Sequence, residues 1–141
     1  LLVSLSTGSF SSLNKYSCNC LEELIISSTI NINNDCELWA GSNWSNGISQ
    51  YNSSLVKIEA PINIISKISS TTLTSVETII VNSGEIIPFR SFSCLKNLKS
   101  VYLCEGIKTI ESYAFSNCEE LLEVNLPKTI IEIENSTFGG I

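Results

Sequence analysis

Apolar side chains in the C-terminal half of the chain recur at a fixed step. Leu98, Val101, Leu103, Ile107, Ile110 and Phe115 return as Leu121, Val124, Leu126, Ile130, Ile133 and Phe138, each 23 residues on, and Phe92 extends the phenylalanine series by one more step of 23. A period of roughly 20–50 residues marks a solenoid, in which one repeat cannot bury its own inner face and must stack on its neighbours. Within the unit, Val124-Asn125-Leu126 alternates with the two-residue period of a strand, so Val and Leu are expected inward and Asn outward. Pro127 then ends the strand, Ile130 and Ile133 come from the opposite wall, and Phe138 fills the corner. Ala114 is small because Phe115 beside it takes the space, and Cys118 serves as a compact apolar residue at the turn into the next strand.

Earlier units are less regular. The same start pattern appears as Val76, Ile79 and Val81, in a unit that reaches Phe92 one residue sooner than its successor reaches Phe115. It appears again as Leu55, Ile58 and Ala60 followed by Pro61, and as Cys18, Leu21, Leu24 and Ile26. About five strand starts follow, near residues 24, 58, 79, 101 and 124. Residues 1–141 read as one domain, with an irregular insertion over 27–54 and the most regular repeats over 55–141. The opening Leu-Leu-Val-Ser-Leu suits the stub of an upstream apolar segment and a first strand equally well. The expected fold is a β-rich, right-handed solenoid of about five coils, with a parallel sheet on one face and an irregular or short-strand wall opposite. At ~4.8 Å between strands it would be roughly 25 Å long.

The segments SFSCLKNLKSVYLCEGIKTIESYAF (91–115) and SYAFSNCEELLEVNLPKTIIEIENSTF (112–138) resemble the BspA-type leucine-rich repeat, approximately Ala-Phe-x-x-Cys-x-x-Leu-x-x-Val-x-Leu-Pro-x-x-Ile-x-x-Ile. The match is strong over 91–138, fair over 55–90 and weak before 55. Cys104 stands where the pattern has Pro, Leu95 takes the Cys slot with Cys94 one place early, and the last unit has Thr137-Phe138 for Ala-Phe. The resemblance implies a leucine-rich repeat solenoid carried in long surface or secreted proteins, several of them linked to adhesion. It therefore implies a cell-surface or extracellular location.

Composition narrows the remaining chemistry. An apolar fraction of 43% is enough for a core, and the absence of methionine implies that the 141 residues are an excerpt of a longer chain. The net charge of −6 comes without a basic cluster, which excludes the counterion-displacing patch that nucleic acid requires. No apolar run approaches the ~18 residues of a membrane span, so no direct membrane insertion is expected. Cys18-x-Cys20 lacks the second close pair or histidines of a zinc site, so neither metal nor cofactor is expected. Cys18 and Cys118 occupy the buried turn slot, where free thiols pack as small hydrophobes. Cys20 and Cys36 are not fixed by the pattern, and Cys104 should point outward with Cys94 near the same coil. There is no histidine to serve a nucleophile and no Gly-rich phosphate loop, so the chain reads as no enzyme. The sequons at Asn43, Asn52 and Asn135 are expected by chance in so Asn-, Ser- and Thr-rich a chain.

Binding surfaces remain. The outward strand positions form two rows, Ile25, Glu59, Ile80, Tyr102, Asn125 and Glu23, Lys57, Thr78, Ser100, Glu123. Ile80 beside Tyr102 makes a modest apolar spot, although single exposed apolar residues are ordinary on any surface. Trp39 and Trp44, in NDCELWAGSNWSNG (34–47), suit either a sugar- or peptide-binding loop or a cover over an imperfect early coil. The expectation is a non-catalytic surface module that meets a protein or glycan partner through Ile80, Tyr102, Glu59 and Asn125, or through Trp39 and Trp44. Its rival is a structural spacer with no ligand of its own. Phe138-Gly-Gly-Ile is no cap, so further repeats, another copy or a subunit are expected beyond Ile141.

Overall fold

The computed structural model describes residues 2–5 (backbone), 23–26, 55–66 and 73–140. Its elements are β1 (Leu2–Leu5), β2 (Glu23–Ile26), β3 (Lys57–Pro61), α1 (Ile62–Ile65), β4 (Thr78–Ser83), β5 (Ile86–Ile87), β6 (Ser100–Leu103), β7 (Thr109–Ile110), β8 (Glu123–Asn125) and β9 (Glu132–Ile133). Two parallel sheets face each other across the core, a long one ordered β1-β2-β3-β4-β6-β8 and a short one ordered β5-β7-β9. The chain is a parallel β-solenoid. Its coil count differs slightly from the expected five. The long sheet has six strands, because Leu2–Leu5 is also one, and the full coil with a strand on both walls occurs three times.

The register follows the repeat. Ile79 pairs with Val101 and Val101 with Val124, while on the second wall Ile87 pairs with Ile110 and Ile110 with Ile133. Alternation along each strand sends Ile58, Ala60, Ile79, Val81 and Val101 inward, all fully buried. Each large apolar side chain so buried stabilises the fold by about 1.5–3 kcal/mol relative to exposure. Phe92 and Phe115, both fully buried, stack at 5.4 Å between centroids, and Phe115 stacks on Phe138 at 5.5 Å. The corner expected from the sequence is therefore a continuous aromatic column.

The last coil keeps the same inward rows with less cover. Leu126, Ile133 and Phe138 are 44%, 41% and 38% exposed, since no described coil lies on their far side. Val124 and Ile130 are half-buried against the core.

The coil of β3 departs from the others. Pro61 ends β3, and one turn of helix, α1, then buries Ile62, Ile64 and Ile65 on the wall where later coils place a short strand. Proline has no N–H to donate to the ladder, and the pairing slips here so that Pro61 lies opposite Ser83 rather than Asn82. The displaced Asn82 donates its Nδ2 to the Ile26 carbonyl 2.9 Å away, spanning the strand between them. Gly84, just past β4, has φ +142°, and a Cβ there would stand 2.2 Å from Cγ2 of Ile62. That turn therefore needs glycine twice over, for its backbone angle and for the helix packed against it.

A second repeating device shapes the corners. Arg90, Tyr113 and Ser136, 23 residues apart, adopt positive φ of 55°, 60° and 58°, and so do Cys94 and Asn117, with φ 62° and 56°. Each corner thus turns through two left-handed residues, a conformation that disfavours most side chains. Inter-coil hydrogen bonds hold it: Phe92 N–H donates to Ala114 O, Cys94 N–H to Ser116 O, Phe115 N–H to Thr137 O and Asn117 N–H to Gly139 O. The Glu134 carboxylate adds two more, accepting from the N–H and the hydroxyl of Ser112, both at 2.9 Å.

Candidate functional site

The solvent-facing side of the long sheet brings four of the predicted residues into one row. Glu59 lies opposite Ile80, Ile80 opposite Tyr102, and Tyr102 opposite Asn125, with Ile25 opposite Glu59 at the other end. Opposed residues on neighbouring strands are close enough for their side chains to form a continuous surface. Ile25, Glu59 and Ile80 are half-buried, whereas Tyr102 and Asn125 are exposed, Tyr102 at 38%. Trp39 and Trp44 lie outside the described residues, as do Cys18, Cys20 and Cys36.

The neighbouring row is polar and satisfies itself. Lys57 Nζ sits 2.7 Å from Glu23 Oε1, and this hydrogen bond, with the charge of Glu23, raises the lysine pKa despite some loss of hydration. Thr78 and Ser100 share a hydroxyl hydrogen bond of 3.1 Å, and the Tyr102 hydroxyl donates to Glu123 Oε2 at 3.4 Å. Just outside the strands, Lys99 bridges to Glu77 at 2.9 Å. The charges bordering the face are committed to partners on adjacent coils. What remains outward is a strip with Ile80 and Tyr102 at its centre, flanked by the Glu59 carboxylate and the Asn125 amide.

The thiols are free at Cys94, Cys104 and Cys118. Cys118 is buried in the turn slot, as expected, with Sγ 3.0 Å from the Phe92 carbonyl. Burial pushes its pKa up to about 11, leaving it un-ionised and inert at neutral pH. Burial also raises the pKa of the half-buried Cys104, which lies at the end of a strand, while Cys94 is exposed at a corner. Among the described residues no group of three or more His, Cys, Asp or Glu could hold a metal ion, and no helix is long and apolar enough to cross a membrane.

One cluster escaped the sequence reading. At the corner after β5 the Arg90 guanidinium carbon lies 5.2 Å from the Phe89 ring centroid and 5.4 Å from that of Tyr113. The two rings meet edge-to-face, with centroids 6.0 Å apart. The signal was present as the 23-residue step from Arg90 to Tyr113, but the apolar pattern follows inward positions and these side chains point out.

Comparison with known proteins bears on the repeat itself. No curated protein and no solved structure matches the chain. The family model of the BspA-type leucine-rich repeat region, present in six copies, matches residues 50–141. Proteins of this kind are repeat proteins, generally non-enzymatic and commonly surface-associated. The stacked coils, the matched registers and the family model covering well over half its length agree: the chain belongs to the BspA-type leucine-rich repeat family.

Proposed function

We propose that the chain is a non-catalytic binding module of a surface or secreted protein, and that it meets a protein partner through the strand face centred on Ile80 and Tyr102. The observation that carries this reading is the pairing of Ile80 with Tyr102 on adjacent strands, beside the Lys57–Glu23 ion pair and a Glu123 carboxylate that accepts from the Tyr102 hydroxyl. A protein surface can dry the Ile80–Tyr102 pair, as in the core of an interface, while meeting Glu59 and Glu123 at its edge with donors of its own. Tyrosine suits that position because it offers a large contact area at small entropic cost and keeps a polar tip. The stacked coils hold the face rigid, so little ordering would accompany binding.

The rival reading, a spacer that extends other modules and binds nothing, is favoured by the same self-compensation, since a surface that satisfies its own charges is also a good inert surface. The test is a binding screen of the chain against extracellular-matrix proteins, with a Tyr102→Ala, Ile80→Ser variant alongside and its fold checked by circular dichroism. Binding that the variant loses supports the strand face. Binding that survives in the variant removes the face from consideration and directs attention to Trp39 and Trp44. No binding by either protein sinks the recognition reading in favour of the spacer.

A further inference from the structure

A groove of about 410 Å³ runs between the stacked corners that follow the short strands. This lies within the range of small-molecule clefts, ~300–1,000 Å³. Its walls are Arg90, Tyr113, three serines (Ser93, Ser116 and Ser136) and Asn117, with Cys94 and two glycines completing the lining. None of these belongs to the strand face. We propose that this groove binds a carboxylated saccharide, with the Arg90 guanidinium holding the carboxylate and the hydroxyl and amide side chains meeting the sugar hydroxyls.

The charge pattern is the first support. Lys57, Lys96, Lys99 and Lys108 are each within 3.4 Å of a carboxylate oxygen, whereas among the described residues Arg90 and Lys128 are in no ion pair, and of these two only Arg90 lines the groove. The groove lining contains that one cation and no carboxylate. Two carboxylates at these corners are held by backbone and hydroxyl donors: Glu111 accepts from the Phe89 N–H at 2.7 Å, and Glu134 from the N–H and hydroxyl of Ser112. The groove thus offers a single positive charge, suited to one anionic group and not to a polyanion.

The second support is preorganisation. Arg90 lies within cation–π distance of both Phe89 and Tyr113, which restrains the guanidinium, and its edge N–H donors are in no ion pair among the described residues. Those edge donors match a carboxylate in two parallel hydrogen bonds, a geometry that lysine cannot supply. The left-handed backbone at Arg90 and Tyr113 sets both side chains at the corner.

The third support is the neutral lining. Serine hydroxyls and the Asn117 amide both donate and accept, which suits a ring of sugar hydroxyls and is wasted on a bare inorganic anion. Ser93 already donates its hydroxyl to the Arg90 carbonyl at 3.1 Å, so its oxygen is oriented to accept. Gly140 has φ +80°, and a Cβ there would fall 2.2 Å from Oδ1 of Asn117, so only glycine leaves Asn117 its place at the end of the groove.

The experiment is titration of the ¹⁵N-labelled chain with glucuronate at low ionic strength, followed by amide chemical shifts, with glucose and acetate as parallel probes. Glucuronate is expected to shift the amides around Ser93, Asn117 and Ser136 saturably, with glucose, which lacks the charged anchor, and acetate, which lacks the sugar hydroxyls, each at least ~10-fold weaker. Arg90→Gln should weaken glucuronate by a similar factor and Arg90→Lys by less, both keeping the dispersed spectrum of a folded chain because the side chain is exposed. The Tyr102→Ala, Ile80→Ser variant should bind glucuronate as the parent does, which keeps this site separate from the strand-face reading. Acetate equal to glucuronate would reduce the groove to a carboxylate contact and overturn the saccharide assignment. Glucose equal to glucuronate, undiminished binding by Arg90→Gln, or no saturable shifts would each overturn the proposal as well.

Discussion

Phe115→Ala is the most direct test of how the coils are joined. Phe115 is fully buried and stacks on both neighbours, Phe92 at 5.4 Å and Phe138 at 5.5 Å. Truncating a buried phenylalanine costs about 3–5 kcal/mol through lost transfer energy and the cavity left behind. Each aromatic pair contributes a further ~0.5–1.5 kcal/mol beyond area. Since these terms overlap, we expect Phe115→Ala to cost ~4 kcal/mol. Phe138 provides the internal control. It has one stacking partner and is 38% exposed, so Phe138→Ala should cost only ~2 kcal/mol when the burial term is scaled by its covered fraction. In a solenoid each coil is stabilised chiefly by the next, so the loss should also be local. Urea unfolding would give the two costs, and hydrogen exchange would locate them. In the Phe115→Ala chain the amides of β8 and β9 should exchange faster while those of β4 keep their protection. Equal costs for the two variants, or a uniform loss of protection from β3 to β9, would refute the column as the joint between coils.

Two further predictions concern the turns. The Cys118 thiol, held un-ionised by burial, has its pKa raised from 9.0 to about 11. Its contribution is therefore fully present below pH 9 and is lost as pH rises through 11; two units correspond to roughly 2–3 kcal/mol. Denaturant midpoints measured from pH 8 to 11 should fall more steeply in the parent than in Cys118→Ala, and parallel slopes would refute the assignment. Gly84→Ala meets both a forbidden backbone angle and Cγ2 of Ile62, whereas Gly106→Ala, at φ +111°, meets only the Gly84 carbonyl at 3.4 Å. Gly84→Ala should cost ~2–4 kcal/mol and Gly106→Ala ~1–2 kcal/mol. Ile62→Ala should recover part of the Gly84→Ala loss in a double-mutant cycle, and strict additivity would exclude the collision.

The long sheet was legible almost residue by residue. Side chains in a strand alternate with period two and the repeat length is constant, so placing Val101 against Val124 fixes every neighbour, including Tyr102 against Asn125. The second wall was less legible for a definite reason. Pro-Ile-Asn-Ile-Ile offers the same apolar content to a helical turn as to a strand, and a run that short carries no usable period. The slip at Pro61 was also hidden, because it depends on a missing N–H that only matters once Asn82 is opposite it. The corner cluster was missed because its geometry rests on left-handed φ at arginine and tyrosine, residues that give no local warning of it. The sequence placed Ile80, Tyr102, Glu59 and Asn125 on one face, but it could not show that Lys57 and Glu23 beside them form an ion pair or that Tyr102 donates to Glu123.

That neutralisation separates the two surfaces. Lys57 with Glu23, Lys99 with Glu77, Lys96 with Glu119 and Lys108 with Glu85 each join one coil to another, so four of the described lysines are spent on stacking. Exposed pairs of this kind add little stability singly, typically below ~1 kcal/mol. Their larger consequence is electrostatic: side chains that bridge coils no longer present a field to a partner. On the proposed reading the strand face would act chiefly through shape and the Ile80–Tyr102 apolar area, with Glu59 the charge within its row. The corner groove keeps the unpaired guanidinium of Arg90 among neutral hydroxyls, which favours a small anionic ligand. On the two proposals one scaffold would offer two kinds of recognition on different walls of the same coils, and neither would need a residue the other uses.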